Sequence, residues 1–338
     1  MVAVVADSYD AALFDLDGVV YLGPVAVEGA SEGVRALRER GTRVGFVTNN
    51  AARPPVAVAE HLVELGIAAT ADDVVTSAQA GAQLVALRFP AGSKVLAVGG
   101  SGVWEALDEV GLVGVRSADD GPVAVLQGFG FDLTWQQLNE AAIAIHRGAH
   151  WVATNVDPTR PTDRGIVPGN GAAVDAVRQA VSVDPEVAGK PYRPLIDVTV
   201  ARLGAAAPIF VGDRVDTDIA GAVAAGLDSM LVLTGAHGPA ELVAAMPDSR
   251  PTHVGYDLRD LLQPARTCTE RPGEATCGAQ TAVLDSGRLQ IVGSPDHRSS
   301  AVDALWATAT LAWRTADAGR PADTAPAVRL ISAVLARQ

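Results

Sequence analysis

Short apolar runs, each stopped by a polar residue or a glycine, alternate with helical stretches over roughly the first 265 residues of the chain. The runs are rich in β-branched residues and lack the polar alternation of half-exposed strands. Nearly continuous apolar strands separated by helices indicate parallel sheets covered on both faces, so the predicted fold class is α/β. The predicted strands lie at 11–15, 43–48, 94–100, 122–129, 150–155, 208–213, 229–235 and 252–256.

In three of these strands the first polar side chain stands where the apolar run stops. AALF runs into Asp15, VGFV into Thr48 and PIFVG into Asp213. Because open parallel sheets place their sites at the carboxyl ends of the strands, we expect these residues to share one edge with Asp17 and Asn49.

The pair Asp15 and Asp17 raises a charge problem at that edge. Side chains two residues apart on a strand face the same side, so the two carboxylates should be neighbours. Two carboxylates side by side repel each other unless a positive group lies between them. For this stretch alone, a solvated strand end with a turn glycine, Gly18, is an equal alternative.

Composition narrows the class of protein. The 338 residues, 49% of them apolar, predict two or three domains of a globular protein. A net charge of −13 argues against nucleic acid or an anionic membrane surface as a partner. The two cysteines, Cys268 and Cys277, predict a reducing, cytoplasmic location rather than a disulfide framework, with a bridge between the two as the alternative. The N-terminus lacks a signal-peptide pattern, and no apolar run approaches the ~20 residues of a membrane span.

The amino-acid composition changes at 264–280, PARTCTERPGEATCGAQ, and this stretch is predicted to be a linker. After it, TAVLDSGRLQIV predicts a hairpin that turns at 285–287. Apolar stripes at 302–313 and 328–335 predict two helices. So small a core predicts that this extension docks on the main body or on another subunit.

Four stretches stand in a fixed order, namely FDLDGVVYLG at 14–23, FVTNN at 46–50, GKP at 189–191 and VGDRVDTDIAGA at 211–222. They resemble the four signatures of haloacid-dehalogenase (HAD) superfamily phosphatases. The long insert after the second signature resembles the capped branch, which includes NagD-like enzymes, 4-nitrophenylphosphatases and glycerol-phosphate or phosphoglycolate phosphatases. The resemblance covers about residues 8–262.

The resemblance implies a Rossmann-like parallel-sheet core and an inserted α/β cap domain that excludes water and selects the leaving group. We predict the catalytic core at 1–80 and 187–264 and the cap at 81–186. A small α+β extension would then occupy 265–338.

Carboxylate chemistry and the resemblance together assign Asp15 as the nucleophile, which forms an aspartyl phosphate. Asp17 would protonate the departing alkoxide and later take a proton from water. The resemblance also implies that the main-chain carbonyl of Asp17 binds the metal. Gly18 lets the backbone approach the phosphoryl oxygens.

Mg²⁺ prefers hard oxygen ligands, and Asp15 and Asp213 are its predicted carboxylate ligands. Asp218, at a predicted helix start, would contact the metal ligands rather than the metal itself, or would bind the metal through a water molecule. Helix capping is the alternative, since Asp216, Thr217 and Asp218 all suit a helix start. Carboxylates ~4 Å apart repel by about 4 kcal/mol per pair at an effective dielectric constant of 20, which favours a bound cation.

Lys190 is one of only two lysines, beside 24 arginines. A compact ammonium suits a crowded anionic centre in which a guanidinium fork would not fit. We therefore predict that Lys190 neutralises Asp15 and the transferring phosphoryl group, with an ordinary surface lysine as the alternative. Phosphate oxygens would also bind to Thr48, Asn49 and Asn50, although a plain Thr-Asn-Asn turn explains these residues equally well.

The stretch 153–172, ATNVDPTRPTDRGIVPGNGA, resembles the substrate-specificity loop of the capped branch. Its candidates for contact with the leaving group are Thr154, Asn155, Asp157 and Arg164, against the alternative of an ordinary surface loop. A closed cap implies a small phosphate monoester. Glycerol 3-phosphate is favoured over phosphoglycolate and over sugar or nucleotide monophosphates. Any homo-oligomer would form through the cap or the extension.

Three other interpretations are weaker. VLAVGGSGVWEALDEVG at 95–111 has the strand, glycine-rich turn and helix of a dinucleotide site but lacks the full G-x-G-x-x-G spacing. Dehalogenation on the same scaffold is disfavoured by Asp17, because an acid–base carboxylate at that position suits phosphate esters. A binding or assembly module without activity is disfavoured by the complete set of acidic and lysine positions.

Overall fold

The structure, a computed structural model, describes residues 3–162 and 164–337. The chain forms two compact units. The first joins the residues up to Val44 with those from Ala206 onward, and the second is Gly45–Ala205. The second unit thus contains the predicted cap together with the adjoining segments on both sides of it. The predicted domain boundaries at 80 and 187 stay a prediction.

The first unit begins with a short helical turn, followed by a buried strand and a short two-stranded ribbon. Its N-terminal elements are a 3₁₀ turn (Val5–Ser8), β1 (Ala11–Asp15), β2 (Tyr21–Leu22), β3 (Val25–Ala26) and α1 (Ala30–Glu39). All residues of β1 are buried, as expected for a central strand of a covered sheet. β2 and β3 pair in antiparallel fashion.

The second unit alternates strands and helices along most of its length. The first element, β4 (Arg43–Thr48), starts at the end of the preceding segment and continues into this unit. The elements that follow are α2 (Pro55–Glu64), β5 (Val74–Thr76), α3 (Ser77–Arg88), β6 (Lys94–Val98), α4 (Ser101–Glu109), β7 (Val113–Val115), β8 (Ala124–Gln127), α5 (Trp135–His146), β9 (His150–Ala153), β10 (Thr159–Thr162), β11 (Gly165–Pro168), α6 (Asn170–Arg178), β12 (Glu186–Val187) and α7 (Pro194–Leu203).

Five strands of this unit form a parallel sheet in the order β12-β9-β8-β6-β7. Alternate residues of β6 enter two different apolar layers. Val95 and Ala97 pack into one layer, and Leu96 and Val98 pack into the other. Both faces of the sheet are therefore covered, which confirms the α/β prediction. β4 and β5 pair in parallel, and β10 and β11 form an antiparallel hairpin.

The remainder of the first unit returns to the parallel pattern. It contains β13 (Pro208–Gly212), a π-helical segment (Val215–Ile219), α8 (Ala220–Ala225), β14 (Asp228–Val232), α9 (Pro239–Val243) and β15 (His253–Gly255). β1 pairs with β13, β13 with β14 and β14 with β15, all in parallel. Asp15, the last residue of β1, and Asp213, the residue after β13, consequently stand at the same end of adjacent strands.

The extension contains more strand than we predicted. Its elements are β16 (Cys268–Arg271), β17 (Glu274–Cys277), β18 (Gln280–Asp285), β19 (Arg288–Val292), α10 (Arg298–Asp317) and α11 (Ala325–Leu335). The four strands form one antiparallel sheet in chain order. The hairpin turn at 285–287 and the two helices are confirmed.

The linker prediction for 264–280 is wrong where β16 and β17 form a hairpin. Pro272 and Gly273, which we interpreted as loop residues, make its tight turn. Gly273 has a φ of 76°, a conformation that favours glycine. Cys268 and Cys277 stand opposite each other across this hairpin, and both are free thiols.

The extension shares an apolar core with the rest of the first unit. Buried side chains of α10, such as Leu305 and Leu311, belong to the same cluster as Leu231, Leu242 and Val254. The indole Nε1–H of Trp313 donates to the main-chain oxygen of Leu242 at 3.1 Å. Of the two predicted docking surfaces, the structure shows the main body. Across residues 3–162 and 164–337, no helix has both the length and the apolar character needed to cross a membrane.

Candidate active site

Three acidic side chains of the first unit converge at the ends of β1 and β13. One carboxylate oxygen from each of Asp15, Asp213 and Asp218 lies within 4.8 Å of the other two. The three residues are 9%, 2% and 1% exposed, respectively. Hydration therefore does little to weaken the repulsion among their charges.

Asp213 is held by two closely packed glycines and a main-chain amide. A Cβ atom on Gly18 or on Gly235 would overlap the Asp213 carboxylate. The φ of 92° at Gly18 also favours glycine. Oδ2 of Asp213 accepts a hydrogen bond from the amide of Ala236 at 2.6 Å. The Asp213 carboxylate is thus fixed by backbone on several sides.

Asp218 lies in the π-helical segment and points back toward the end of β13. Its Oδ2 accepts hydrogen bonds from the amides of Asp213 at 3.1 Å and Arg214 at 3.0 Å. A helix-capping side chain would instead accept from amides that follow it in the chain. Asp216, the other acidic candidate for capping, pairs with the guanidinium of Arg214 at 2.7 Å. Asp218 therefore supports the acidic cluster rather than capping the helix that follows.

The donor set of this cluster suits a hard divalent cation. Carboxylate oxygens are the ligands that Mg²⁺ prefers. At an effective dielectric constant of 20, each pair of charges ~4 Å apart costs about 4 kcal/mol. The amide hydrogen bonds to Asp213 and Asp218 offset only part of that cost, and a cation among the three carboxylates would offset much more.

Asp17 and Gly18 lie in the turn after β1. Because β1 ends at Asp15, strand alternation does not extend to Asp17, whose side chain is exposed. The group of three carboxylates does not include it. The amide of Gly18 donates to the carbonyl of Tyr21 at 2.8 Å, and the hydroxyl of Thr234 donates to the carbonyl of Gly18 at 2.6 Å. The acid–base role of Asp17 and its carbonyl contact with the metal stay predictions.

The Thr-Asn-Asn stretch in the second unit makes a compact turn after β4. The hydroxyl of Thr48 accepts from the amide of Asn50 at 3.0 Å, and Oδ1 of Asn50 accepts from the amide of Ala52 at 2.9 Å. These are local side-chain-to-backbone bonds of the kind that stabilise turns. The side chain of Thr48 is buried and that of Asn50 is exposed. The turn alternative is thus realised, and phosphate binding by these residues stays a prediction.

Lys190 is bound to Asn49 through its main chain. Its amide donates to Oδ1 of Asn49 at 2.8 Å, and its carbonyl accepts from Nδ2 of Asn49 at 3.1 Å. Lys190 is only 3% exposed. The alternative of an ordinary surface lysine is therefore wrong. The predicted action of Lys190 on Asp15 stays a prediction.

The four candidates from the polar loop differ in their exposure. Thr154 is fully buried and Asn155 is 4% exposed, whereas Asp157 is half-buried and Arg164 is exposed. Asn155 donates from Nδ2 to the carbonyl of Asn49 at 2.7 Å and accepts from the amide of Asp157 at 3.1 Å. Arg164 lies in the turn between β10 and β11, so the surface-loop alternative describes this residue best.

The comparisons with known proteins agree with the four signatures. The family described as haloacid dehalogenase-like hydrolase matches residues 12–113, and a HAD-hydrolase-like family matches residues 187–261. Over 268 residues the chain is 48% identical to a D-glycerol 3-phosphate phosphatase of Mycobacterium tuberculosis, a match that covers 79% of this chain and 75% of that protein. The chain belongs to the haloacid dehalogenase-like hydrolases.

A solved structure and a second curated relative place this HAD hydrolase among phosphatases. A crystal structure of a glycerol phosphate phosphatase from Mycobacterium tuberculosis in complex with magnesium is 41% identical, with a TM-score of 0.86. That match covers 100% of this chain and 99% of the other, so it includes the extension. A 5'-nucleotidase of Bacillus subtilis, YutF, is 36% identical over 75% of this chain and 98% of its own length.

Glycines in 95–111 serve packing in this HAD hydrolase. A Cβ on Gly99 would crowd the carbonyl of Gly128, and one on Gly100 or Gly102 would crowd main-chain oxygens at 51–53. These glycines let backbone segments approach closely, which accounts for them without a dinucleotide.

Sequence reasoning missed the residues that hold Asp213 from the β14 side. Gly235 is the last residue of the predicted strand SMLVLTG and Ala236 follows it, and the end of that strand was not included among the site residues. The rule that sites form at the carboxyl ends of parallel strands applies to β14 as well as to β1 and β13. Applied to every strand, that rule would have found them.

Proposed function

We propose that this HAD phosphatase hydrolyses glycerol 3-phosphate in a Mg²⁺-dependent reaction through an aspartyl phosphate. The observation that carries the proposal is the convergence of the Asp15, Asp213 and Asp218 carboxylates within 4.8 Å. Support for the substrate comes from the 48% identical relative named D-glycerol 3-phosphate phosphatase.

Asp15, Asp213 and Asp218 are the residues that would hold Mg²⁺, with the main-chain carbonyl of Asp17 as a further donor implied by the family resemblance. When bound, Mg²⁺ supplies positive charge that offsets these carboxylates and the phosphoryl oxygens. The backbone bonds to Asp213 and Asp218 fix both carboxylates before the ion binds.

In the first step, a carboxylate oxygen of Asp15 attacks phosphorus, and the bond from phosphorus to the ester oxygen breaks. Asp17 gives its proton to the departing alkoxide, so glycerol leaves as a neutral alcohol. In the second step, Asp17 takes a proton from water while the water oxygen attacks phosphorus. The acyl phosphate bond breaks, which restores the Asp15 carboxylate and releases inorganic phosphate.

We assign Lys190 to offsetting negative charge on the transferring phosphoryl group. Its burial supports this role, because a buried ammonium requires anionic partners. Gly18, Thr48 and Asn50 are assigned to binding phosphoryl oxygens, as the family resemblance implies. Thr154, Asn155, Asp157 and Arg164 remain the candidates that select the leaving group.

A sugar or nucleotide monophosphate is the second candidate substrate, since one relative with 36% identity is named a 5'-nucleotidase. Phosphoglycolate stays an alternative from the same branch. We further propose a cytoplasmic location, which the two free thiols support, and no nucleic-acid or membrane partner, which the net charge of −13 supports. A homo-oligomer through the cap or the extension stays a prediction.

The test is a phosphate-release screen over glycerol 3-phosphate, phosphoglycolate, sugar phosphates, nucleoside monophosphates and 4-nitrophenyl phosphate, with Mg²⁺ or with EDTA. Asp15→Asn should abolish release in the presence of Mg²⁺. The matched control is Asp132→Asn, the same substitution at an exposed residue, and it should retain full activity. Phosphate release that persists in EDTA, or substantial turnover by Asp15→Asn, would refute the mechanism. A preference for nucleoside monophosphates would select the second candidate.

A further inference from the structure

The side-chain amide of Asn49 has used its hydrogen-bond donors. Nδ2 of Asn49 donates to the carbonyl of Lys190 and to Oδ2 of Asp157, both at 3.1 Å. An amide nitrogen carries two N–H donors, so both are engaged. Oδ1 of Asn49 accepts from the amide of Lys190 at 2.8 Å. Asn49 could donate to a phosphate oxygen only by giving up one of these bonds.

We propose that Asn49 is a positioning residue that holds the main chain of Lys190 and the cap-loop residue Asp157 in one arrangement. This role replaces the predicted contact of the Asn49 side chain with phosphate oxygens. The inference rests on the proposed function, because Lys190 is assigned there to the phosphoryl group and Asp157 to the leaving group.

Further contacts show how tightly this junction is built. The carbonyl of Asn49 accepts from Nδ2 of Asn155 at 2.7 Å and from the hydroxyl of Ser77 at 2.6 Å. A Cβ on Gly189 would come within 2.6 Å of Oδ1 of Asn49 and of the carbonyl of Thr154. Only a glycine at 189 allows the amide to approach the Lys190 main chain in this way.

The network joins three segments that are far apart in the sequence. Asn49 follows β4, Asp157 follows β9 and Lys190 follows β12. In our proposal, Lys190 acts on the phosphoryl group and Asp157 acts on the leaving group. Both residues are hydrogen-bonded to the same side chain, that of Asn49. Loss of its donors would let Lys190 and Asp157 shift independently. A misplacement of 1 Å at a catalytic site can reduce the rate by about 100-fold.

The decisive experiment is a double-mutant cycle with exchanged donors. Asn49→Asp removes both N–H donors and places a carboxylate against Asp157. Asp157→Asn in that background supplies an N–H that can donate to the new carboxylate, so the bond reforms in the opposite direction. We expect Asn49→Asp to lower kcat/KM by about 100-fold in the wild-type background. Its penalty should be at least about tenfold smaller in the Asp157→Asn background.

Additive penalties would overturn the inference, because a direct Asn49–phosphate contact does not depend on residue 157. The inference would also be overturned if kcat/KM of the four proteins rose and fell only with their melting temperatures, since the recovery would then reflect general stabilisation. Asn139→Asp, the same substitution at an exposed residue of α5, should leave kcat/KM unchanged in both backgrounds.

If Asn49→Asp does not fold, Asn49→Ala with Asp157→Ala forms the same cycle, again with non-additive penalties expected. A wild-type protein that releases no phosphate from any monoester would overturn the proposed function as well, whereas an active wild type with an additive cycle would overturn only this inference.

Discussion

The carboxylate of Asp218 accepts a hydrogen bond from the main-chain amide of Asp213, five residues earlier, at 3.1 Å. One acidic residue of the cluster therefore fixes the backbone that carries another. The same Oδ2 atom also accepts from the amide of Arg214. In the proposed metal site, Asp218 would thus have two separable functions, a charge for the cation and an acceptor for two amides.

Two substitutions at Asp218 should separate these functions. Asp218→Asn keeps an acceptor for the amides but removes the charge, so we expect the Mg²⁺ concentration for half-maximal activity to rise about tenfold or more. Asp218→Ala removes the acceptor too and should lower the free energy of unfolding by a further 1–3 kcal/mol or so. Magnesium titrations and chemical denaturation measure the two effects. Asp216→Asn, whose partner is the guanidinium of Arg214, should change neither much. Equal stability of the Asn and Ala variants would contradict the acceptor role.

Repulsion among the three carboxylates predicts a metal-dependent stability. In EDTA, Asp15→Asn should melt at a higher temperature than the wild type, because it removes one of three close buried charges. With saturating Mg²⁺ the order should reverse, since the wild type gains more binding energy from the ion. Calorimetry in both buffers checks the reversal. An Asp15→Asn protein that is less stable than the wild type in EDTA would count against strong repulsion among these carboxylates.

The two lysines give a matched pair of substitutions. Lys190→Arg keeps the charge but places a broader group at a position that is 3% exposed, so we expect kcat to fall by more than about tenfold. Lys94→Arg is the control, because Lys94 is exposed and donates to the carbonyl of Asp120. Steady-state kinetics with 4-nitrophenyl phosphate measure both variants. Full activity of Lys190→Arg would remove the argument that a compact ammonium is needed.

Truncation after residue 264 should produce an insoluble protein. The cut would expose the apolar surface around Leu231, Leu242 and Val254, which the extension covers. Expression with a solubility assay, followed by the melting temperature of any soluble fraction, tests this. A soluble, active chain that ends at 264 would show that the shared apolar cluster is dispensable.

His253 should make the protein less stable in mild acid. Burial lowers the pKa of its imidazole below the ordinary value, although the charge of Asp228 acts in the opposite direction. The unfolded chain then takes up a proton near pH 6.5 that the folded protein does not. The free energy of unfolding should therefore fall as the pH drops below about 6.5. His253→Gln should flatten that part of the profile in urea denaturation series. An unchanged slope in the variant would assign the effect to other groups.

Local sequence patterns predicted the features that depend on single strands. β1, β4 and β13 were identified from apolar runs, and Asp15 and Asp213 from the polar residues that end two of them. Lys190 was identified because the chain uses arginine almost everywhere else. These signals are local because a strand buried on both faces appears in the sequence as an unbroken apolar run, and the first polar residue after the run marks the end of the strand.

The remaining features depend on contacts that local patterns do not encode. The hydrogen bond between Asn49 and Asp157 joins residues 108 positions apart. The end of β1 at Asp15 removed Asp17 from the strand alternation on which its predicted orientation depended. Pro272 and Gly273 favour loops and hairpin turns alike, and pairing across β16 and β17 selected the turn.

The pairing of β1 with β13, in which Ala11 stands opposite Pro208, also sets an order of events during synthesis on the ribosome. The second unit, Gly45–Ala205, is fully translated before β13, one of the partner strands of β1, exists. The edge of β1 that pairs with β13 must then stay unpaired while the whole intervening unit is made. Chaperone dependence of this protein should accordingly concentrate on its first residues and persist until β13 has left the exit tunnel.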